Sequence, residues 1–335
     1  MEVFEIREAT GIGGLVLAER PDPAPGPGEL LVRMKAASLN YRDLVVAKGG
    51  YGRNQKLPLT PLSDGAGEVA GTGEGVRRFT TGDRVAGCFM QDWVSGGFHE
   101  RYGASALGGA RDGVLAEYVI FPEHGLVRVP PHLSWEEAAC LPCAALTAWN
   151  ALFVAARLRP GNTVLVLGSG GVSVFALQFA RLAGAAVIAT SSSNERLERL
   201  RELGAERLIN YRETPRWGRT VRELTRGGVD VVVEVGGAGT LEQSLRAVRG
   251  GGAISLIGVL AGPGEFNPNR IFMKAVRLQG IYVGSREMFE QMNAAIEAAA
   301  LRPVVDRVFP LAETPAAYRH LEAGAHFGKV VIRIG

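Results

Sequence analysis

The side chains that could bind a metal ion or act as nucleophiles are few and scattered. The 335 residues include three cysteines, and one of them, Cys143, is a lone thiol in the apolar run LPCAALTAW (141–149). A thiol in such a place can be a zinc ligand, a nucleophile or a packing residue. Zinc would require further thiolate, imidazole or carboxylate ligands, and a nucleophile would require a neighbouring cation.

A second candidate for chemistry is the glycine-rich stretch VLVLGSGGVSVFALQFARLAGA (164–185), which predicts a strand, a tight turn and a helix. Gly168, Gly170 and Gly171 leave room for a pyrophosphate at the helix N-terminus, where unbonded N–H groups and the helix dipole favour negative charge. Ser173 stands where G-x-G-x-x-G has its third glycine, and it is small enough for close packing. The alternative is a plain strand–helix turn. We predict a dinucleotide site that includes Val172.

The end of the next strand, ATSSSNERLERL (189–200), bears on the choice of dinucleotide. A site that prefers NAD usually has an acidic residue here, bonded to the ribose 2′-hydroxyl. This chain has Ser191 and Ser192 instead, with Arg196 one turn later. Hydroxyls and a guanidinium suit a 2′-phosphate, so we expect NADPH, with Tyr211 closing the same pocket. A solvated helix residue is the alternative for Arg196.

These residues must be positioned by a regular α/β domain. Apolar runs recur at 163–168, 185–190, 207–210, 229–236, 252–259 and 277–284, with helical patterns between most of them. Strands without a polar face that alternate with helices predict a parallel sheet covered on both sides. Six such strands with right-handed crossovers predict a Rossmann-type doubly wound domain.

The chain outside this domain follows a different pattern. The first third has short strands separated by Pro/Gly turns, as in an all-β, barrel-like module. The tail has a strand, a helix with Thr314 as N-cap and Pro315 at its first position, and the strand KVVIRI (329–334). We predict a catalytic domain at 1–126, a dinucleotide-binding domain at 127–284, and a return to the catalytic domain at 285–335.

The composition is that of an ordinary folded protein, with 47% hydrophobic and 21% charged residues and a net charge of +3. The sequence has no basic run interleaved with aromatic residues, which is the pattern that would indicate nucleic-acid binding. The N-terminus, MEVFEIREAT, has charges where a signal peptide needs an apolar stretch, and the best candidate membrane span is interrupted by Gln178 and Arg181. Scattered cysteines in odd number do not form a disulfide framework. We expect a cytoplasmic protein with no nucleic-acid or membrane partner.

The chain resembles the medium-chain dehydrogenase/reductase superfamily over essentially its whole length. The resemblance rests on SLNYRDL (38–44), DGAGEVAGTGEGVRRFTTGDRV (64–85), LPCAALTAWNAL (141–152), the glycine turn and GAERLINYRE (204–213). It implies a chaperonin-10-like (GroES-like) β-barrel catalytic domain joined to the Rossmann domain. It also implies that Thr147 forms a hydrogen bond near the nicotinamide.

Zinc-dependent members of this superfamily hold the catalytic metal with a Cys, a His and a second Cys or an acid. By resemblance, these positions fall on Asn40, Ser63 and Cys143. One thiol with an amide and a hydroxyl is not a zinc site. The four clustered cysteines of the family's structural zinc lobe are missing as well, and the histidines form no ligand-spaced cluster. We therefore predict no metal and interpret Cys143 as a small buried apolar residue.

Asn40, Asp43 and Tyr51 match the zinc-free, quinone oxidoreductase-like branch. We expect Asn40, Tyr51 and Thr147 to be catalytic and Asp43 to be a structural cap. A turn former is the alternative for Asn40, and loop packing is the alternative for Tyr51. The expected cofactor-binding residues are Thr147, Gly168, Gly170, Gly171, Val172, Ser191, Ser192, Arg196, Tyr211, Gly258 and Val259.

The sequence thus predicts a zinc-independent, NADPH-dependent reductase of quinones or α,β-unsaturated carbonyls. One alternative is an alcohol or aldehyde dehydrogenase that works without zinc. Another, of a different class, is a non-catalytic NADPH-binding protein, since some relatives serve as lens crystallins. The sixth strand should lie at the edge of the sheet, and exposed apolar edges are usually paired or covered. Because relatives join their sheets there, we expect a homodimer or a dimer of dimers.

Overall fold

A computed structural model of the chain describes residues 1–51, 55–258, 260, 262 and 264–335. The chain forms two compact units, one of Met1–Leu146 with Gly284–Gly335 and one of Thr147–Val283. The predicted boundary at 126/127 falls too early for the first unit. The strand Leu126–Arg128 pairs with Arg84–Gly87, so its backbone hydrogen bonds keep this segment in the first unit.

The strands, in chain order, are β1 (Glu2–Ile6), β2 (Leu15–Glu19), β3 (Glu29–Ser38), β4 (Asp64–Thr72), β5 (Arg84–Gly87), β6 (Tyr118–Pro122), β7 (Leu126–Arg128), β8 (Thr163–Leu167), β9 (Ala186–Ser191), β10 (Arg207–Asn210), β11 (Val229–Glu234), β12 (Val248–Leu256), β13 (Arg277–Gly280), β14 (Val305–Pro310) and β15 (Lys329–Arg333).

The α-helices are α1 (Tyr41–Ala47), α2 (Trp135–Ala138), α3 (Leu146–Trp149), α4 (Gly171–Leu182), α5 (Asn194–Glu202), α6 (Trp217–Leu224), α7 (Ala238–Ala247), α8 (Asn269–Met273), α9 (Arg286–Ala298) and α10 (Thr314–Glu322). Short 3-10 helices cover Gly11–Gly14, Glu100–Ser105, Glu123–Gly125 and Leu311–Glu313. Two segments, Leu141–Ala145 and Asn150–Ala155, are π-helical.

The second unit is built on a six-stranded parallel sheet in the order β10-β9-β8-β11-β12-β13. Counted along the chain this is 3-2-1-4-5-6, the doubly wound dinucleotide-binding order, so the predicted fold is confirmed. The central strands are covered on both faces, which explains why β8 and β11 lack a polar side. The sixth strand ends at Gly280, earlier than the predicted residue 284.

The first unit contains a mixed sheet in the order β14-β15-β3-β4-β5-β7, with β6 also paired to β3, and a separate β1-β2 pair. The C-terminal strand β15 runs antiparallel to β3, so the tail returns to this unit as predicted. Buried side chains of β3, β6 and α10 form its core, including Met34, Phe121 and Tyr318.

The start of α10 differs from the prediction in one respect. Glu313 occupies the N-cap position, and Thr314 is the first helical residue. The Thr314 hydroxyl donates back to the Leu311 carbonyl oxygen at 2.8 Å, so it does not cap the helix.

Within the described residues, the 21-residue segment Trp135–Ala155 is long and apolar enough to cross a membrane, since its most apolar 18-residue window has a mean hydropathy of 1.6. This is a better candidate than the stretch interrupted by Gln178 and Arg181, which the sequence analysis favours. Because 72% of its most apolar window is buried inside the protein, it has the character of a core helix.

Candidate functional site

Asn40 lies where β3 ends and α1 begins. It is the N-cap residue of α1 in extended conformation, and its backbone N–H donates to Asp43 Oδ2 at 2.7 Å. Asparagine is among the preferred N-cap residues, and an acid three positions later commonly accepts the N-cap N–H. The local sequence SLNYRDL therefore fixes the backbone of Asn40 at the start of this helix.

Asp43 has the structural role that the sequence predicts, but as the third residue of α1, whose carboxylate accepts the N–H of the N-cap Asn40, and not as the N-cap itself. Its side chain is 1% exposed. Burial raises the pKa of the Asp43 carboxyl to about 6, although the charge of Arg42 opposes the rise. Oδ1 has no hydrogen-bond partner within the described part of the chain. Asp43 is thus a buried carboxyl that helps to fix the backbone conformation of Asn40, and burial destabilises its ionised form.

Lys329 holds the Asn40 side chain, and the sequence analysis did not identify it. It is the first residue of β15 and is 3% exposed. Its Nζ donates to Asn40 Oδ1 and to the Leu39 carbonyl oxygen, both at 2.6 Å. A lysine at the head of the apolar strand KVVIRI was the available signal, since lysine is almost never fully buried without partners.

Asp64 is the second buried charge beside Asn40. It begins β4 and is completely buried. Oδ1 accepts from the Ser63 hydroxyl at 2.7 Å, and Oδ2 accepts from the Cys143 backbone N–H at 3.0 Å. Burial raises the pKa of the Asp64 carboxyl, while the Lys329 ammonium and the Ser63 hydroxyl act against the rise. This one carboxylate thus contacts all three of the positions that the resemblance assigns to zinc ligands.

Those three positions do not suit a zinc ion. The Asn40 oxygen is occupied by an ammonium, and the Ser63 hydroxyl donates to Asp64. Burial, followed by the charge of Asp64, raises the pKa of the Cys143 thiol well above its ordinary value, although Lys329 and Arg42 oppose this. The Cys143 side chain is partly exposed, so it is less buried than the sequence predicts. In the absence of a metal ion its thiol is held protonated near pH 7, which disfavours a role as nucleophile. Among the described residues no cluster of three or more His, Cys, Asp or Glu side chains could hold a metal.

Tyr51 belongs to the same unit as Asn40. Its ring lies 4.3 Å from the Arg42 guanidinium and packs against the core of the unit. Arg42 is itself held by the Leu107 carbonyl oxygen at 2.7 Å. These contacts agree with the packing role, and the catalytic role of the Tyr51 hydroxyl stays a prediction.

Thr147 belongs to the second unit. It lies in α3 and is 3% exposed. Its helix is flanked by the two π-helical segments, and π-helical turns are frequent at functional sites. The predicted contact of Thr147 with a nicotinamide stays a prediction.

The glycine turn in the second unit has the geometry that a phosphate site needs. Gly168 has φ +75°, a conformation that residues with a side chain rarely adopt. Gly170 is the N-cap of α4, and an added Cβ would meet nothing within 4 Å, so the approach to the helix end is open. Ser173 is buried, and its hydroxyl donates to the Leu167 carbonyl oxygen at 2.6 Å. Gly171 and Val172 form the first turn, so their N–H groups lie at this end of the helix.

The polar residues predicted for the ribose lie at the ends of β9 and β10. Ser191 is the last residue of β9 and is 2% exposed, whereas Ser192 is partly exposed. Arg196, also partly exposed, lies in the first turn of α5. Tyr211 follows β10, and its backbone N–H donates to the Ser191 carbonyl oxygen at 3.0 Å. The structure therefore brings the four residues to one edge of the sheet.

Glu213 is an acidic neighbour of this edge that the sequence analysis missed. Its carboxylate accepts from Asn194 Nδ2 at 3.0 Å and from Asn210 Nδ2 at 2.9 Å. Those two amides belong to the start of α5 and the end of β10. A carboxylate at this edge would disfavour a 2′-phosphate, so Glu213 counts against the predicted preference for NADPH.

Gly258 comes shortly after β12 and cannot be replaced without a shift of the backbone. A Cβ at this position would lie 1.4 Å from the Val235 carbonyl oxygen. The predicted cofactor residue Val259 lies outside the described residues.

Two family models match the chain. The alcohol dehydrogenase GroES-like domain matches residues 26–131, and the zinc-binding dehydrogenase domain matches residues 171–298. The first match confirms the predicted class of the catalytic domain, and the second covers most of the six-stranded sheet.

Similar proteins span nearly the whole chain. A zinc-type alcohol dehydrogenase-like protein of Schizosaccharomyces pombe is 48% identical, with 92% of this chain and 91% of the relative covered. The quinone oxidoreductase of Lama guanicoe is 30% identical, with 92% and 90% covered. Among solved structures, an NAD-dependent alcohol dehydrogenase is 37% identical with a TM-score of 0.91, and a mycobacterial protein complexed with NADPH is 29% identical with a TM-score of 0.84; each match covers 100% of both chains.

Proposed function

The chain belongs to the medium-chain dehydrogenase/reductase superfamily, and from this membership we propose that it is a zinc-independent, NADPH-dependent reductase of quinones or α,β-unsaturated carbonyls. The observation that carries the proposal is the polar network around Asn40. An amide, a hydroxyl and a neutral thiol stand at the positions of the metal ligands, and a buried lysine is bonded to the amide.

The nature of the product anion favours conjugated acceptors. Hydride addition to an isolated ketone makes an alkoxide, which needs strong electrophilic help such as a metal ion. Addition to a quinone or to the β-carbon of an enone moves the electron pair onto an oxygen as a delocalised phenolate or enolate. Such an anion is far less basic, and hydrogen bonds from the Asn40 amide and the Tyr51 hydroxyl can stabilise it. Protonation by water completes the reduction.

NADPH would supply the hydride when bound. The N–H groups at the start of α4 would hold its pyrophosphate, and Gly168 and Gly170 leave space for it. Arg196, Ser192 and Tyr211 would hold the 2′-phosphate. The complex of a similar protein with NADPH supports this choice, whereas Glu213 and the similar NAD-dependent enzyme favour NADH as the alternative.

The proposal is tested by following NADPH and NADH oxidation with quinones, enals, enones and simple aldehydes. We expect turnover of the conjugated acceptors with NADPH. Rapid oxidation of secondary alcohols near pH 7 would instead support an alcohol dehydrogenase, which the similarity to a zinc-type alcohol dehydrogenase-like protein and to an NAD-dependent alcohol dehydrogenase favours. Tight NADPH binding without turnover of any acceptor would support a binding protein.

Zinc independence has its own test. Protein purified without added zinc should contain well under one equivalent of metal, and a chelator should leave its activity unchanged. A stoichiometric zinc ion that is lost in a Cys143→Ala variant would contradict the proposal.

We also propose a homodimer, or a dimer of dimers, in the cytoplasm. The edge strand β13 ends the six-stranded sheet, and the neighbouring Phe272 and Met273 are each 77% exposed. Large apolar side chains beside a strand edge that no other described strand pairs with favour association with a second copy. Light scattering should give at least twice the 35.6 kDa of one chain. A stable monomer would contradict this assembly.

The cytoplasmic location is inferred from the three unbridged cysteines.

A further inference from the structure

We propose that Lys329 is a positioning residue of the reaction: its ammonium fixes the Asn40 amide in one orientation and strengthens that amide as a hydrogen-bond donor to the substrate oxygen. The proposal rests on the proposed function, because it assigns Asn40 a substrate carbonyl as its acceptor. It concerns Asn40, Asp64 and Lys329, which come from β3–α1, β4 and β15 of one unit.

The orientation of the amide follows from the charges at its two ends. Lys329 Nζ donates to Asn40 Oδ1 at 2.6 Å. Nδ2 is close enough to Asp64 to lower the pKa of that carboxyl, although no hydrogen bond of ordinary geometry joins Nδ2 to any described residue. A flipped amide would place its NH₂ against an ammonium and its oxygen against a carboxylate. The pair of charges therefore permits one orientation, with the NH₂ on the side away from Lys329.

The NH₂ group keeps donor capacity for a ligand. Both oxygens of Asp64 are already bonded, Oδ1 to the Ser63 hydroxyl and Oδ2 to the Cys143 N–H. An amide nitrogen has two N–H donors. Nδ2 is buried and has no hydrogen-bond partner among the described residues. Even if Asp64 takes one of its donors in the working enzyme, the second lacks an acceptor, which we propose is the oxygen on which negative charge develops.

The ammonium also changes the strength of this donor. A cation that binds the carbonyl oxygen of an amide draws electron density from its nitrogen, and hydrogen bonds in series polarise one another in a low-dielectric site. Lys329 is 3% exposed and Asp64 is completely buried, so water screens the effect little. A fixed charge one residue away from the substrate thus contributes part of what a metal ion contributes by direct contact.

A double-mutant cycle in kinetics separates this role from a purely structural one. Lys329→Met should lower kcat by about 10- to 100-fold in the wild-type background, with little change in the KM for NADPH. In the Asn40→Ala background the same substitution should cost less than about 3-fold, because the donor through which Lys329 acts is gone. Equal losses in both backgrounds would overturn the proposal. Lys274→Met, at a lysine of the second unit bonded to the Leu245 carbonyl oxygen, is the control and should leave kcat unchanged.

Two further variants keep the test decisive if Lys329→Met does not fold. The double variant Lys329→Met/Asp64→Asn removes the charges of both residues. The cycle then uses Asp64→Asn as its parent protein, and Lys329→Met and Asn40→Ala are each added to that parent. Asn40→Asp keeps a good N-cap residue and an acceptor for Lys329 but removes the NH₂. We expect Asn40→Asp to lose as much kcat as Asn40→Ala. An Asn40→Asp enzyme with near wild-type kcat would show that the amide is not the donor and would overturn the proposal.

The outcome is distinguishable from a failure of the proposed function. The cycle is run with the carbonyl acceptor that the wild-type enzyme reduces fastest, whichever class it belongs to. Preference for a saturated carbonyl would refute the proposed function while the coupling between Lys329 and Asn40 could still be found. Preference for an enone without that coupling would refute only the role of Lys329.

Discussion

The two candidate sites of this protein are built in opposite ways. Around Asn40, side chains distant in sequence are buried and bonded to one another, with Lys329 and Asp64 as the charged partners. At the glycine turn, the site consists of backbone N–H groups at one helix end and an open approach beside Gly170. The first site is fixed by tertiary contacts before any ligand arrives, whereas the second is defined by a short continuous segment.

This difference indicates where each site is vulnerable. Removing the partner of a buried charge lowers the free energy of unfolding, because the remaining charge is neither paired nor hydrated. A partly exposed side chain that binds a ligand can be removed with a larger loss of binding than of stability. Three substitutions test this contrast, from the largest expected effect to the smallest.

The largest effect is expected for Lys329→Met. It leaves Asp64 buried without a counter-charge and removes the donor to Asn40 Oδ1, so the free energy of unfolding should fall by about 3–5 kcal/mol. Urea denaturation at pH 7.5 measures this. Lys274→Met also removes hydrogen bonds to backbone carbonyl oxygens. Because Lys274 is partly exposed, this variant should lower the free energy of unfolding by only about 1–2 kcal/mol. Equal losses of stability in the two variants would show that the buried charge of Lys329 matters no more for folding than the partly exposed Lys274.

Arg196→Ala should act mainly on binding. A hydrogen bond to a charged group contributes about 1.5–3 kcal/mol, so NADPH affinity should fall by roughly 10- to 100-fold while NADH affinity stays almost unchanged. The control is Arg201→Ala, in the same helix, whose guanidinium pairs with Glu198 at the surface. Fluorescence titration with both coenzymes gives the constants. Equal losses for NADPH and NADH would assign Arg196 to the fold.

Asp43→Asn should change how stability depends on pH. Burial raises the pKa of Asp43 from 3.8 to about 6, so the folded state binds this proton more tightly than the unfolded state. Wild-type stability therefore gains from this group as the pH falls through 6 toward 4, by about 1.4 kcal/mol at pH 5 relative to pH 8. Asp43→Asn lacks the gain. Denaturation of both proteins at the two pH values measures the difference, with Glu322→Gln at the surface as control. A pH-independent difference would contradict the raised pKa.

The sequence predicted well what depends on contiguous residues. Apolar strands such as TVLVL and VDVVVE are buried on both faces and pair in the expected order, and Ser173 packs as a substitute for glycine. The glycine turn was recognisable because its function resides in a few adjacent residues. The structural role of Asp43 at the helix start was predictable because Asn40, whose N–H it accepts, is only three residues away, although Asn40 and not Asp43 is the N-cap.

What the sequence did not predict depends on long-range pairing. Lys329 contacts Asn40 from 289 positions along the chain, and only the pairing of β15 with β3 brings them together. A charge at the head of a buried strand does not reveal its partner. The cations beside Cys143 were missed for the same reason, since the local sequence contains none. Glu213 was overlooked because its approach to α5 depends on β10 lying beside β9.

The central claim, that this site handles an enolate or phenolate without a metal, is tested most directly by one matched pair of substrates. The measurement is kcat/KM for 2-cyclohexenone and for cyclohexanone, with NADPH and chelator-treated enzyme. Because the saturated ketone would give an alkoxide, we predict that the enone is preferred by at least about tenfold, which corresponds to about 1.4 kcal/mol in the barrier. Equal or faster reduction of cyclohexanone would contradict the account, since a strong electrophile or proton donor would then have to act on the carbonyl.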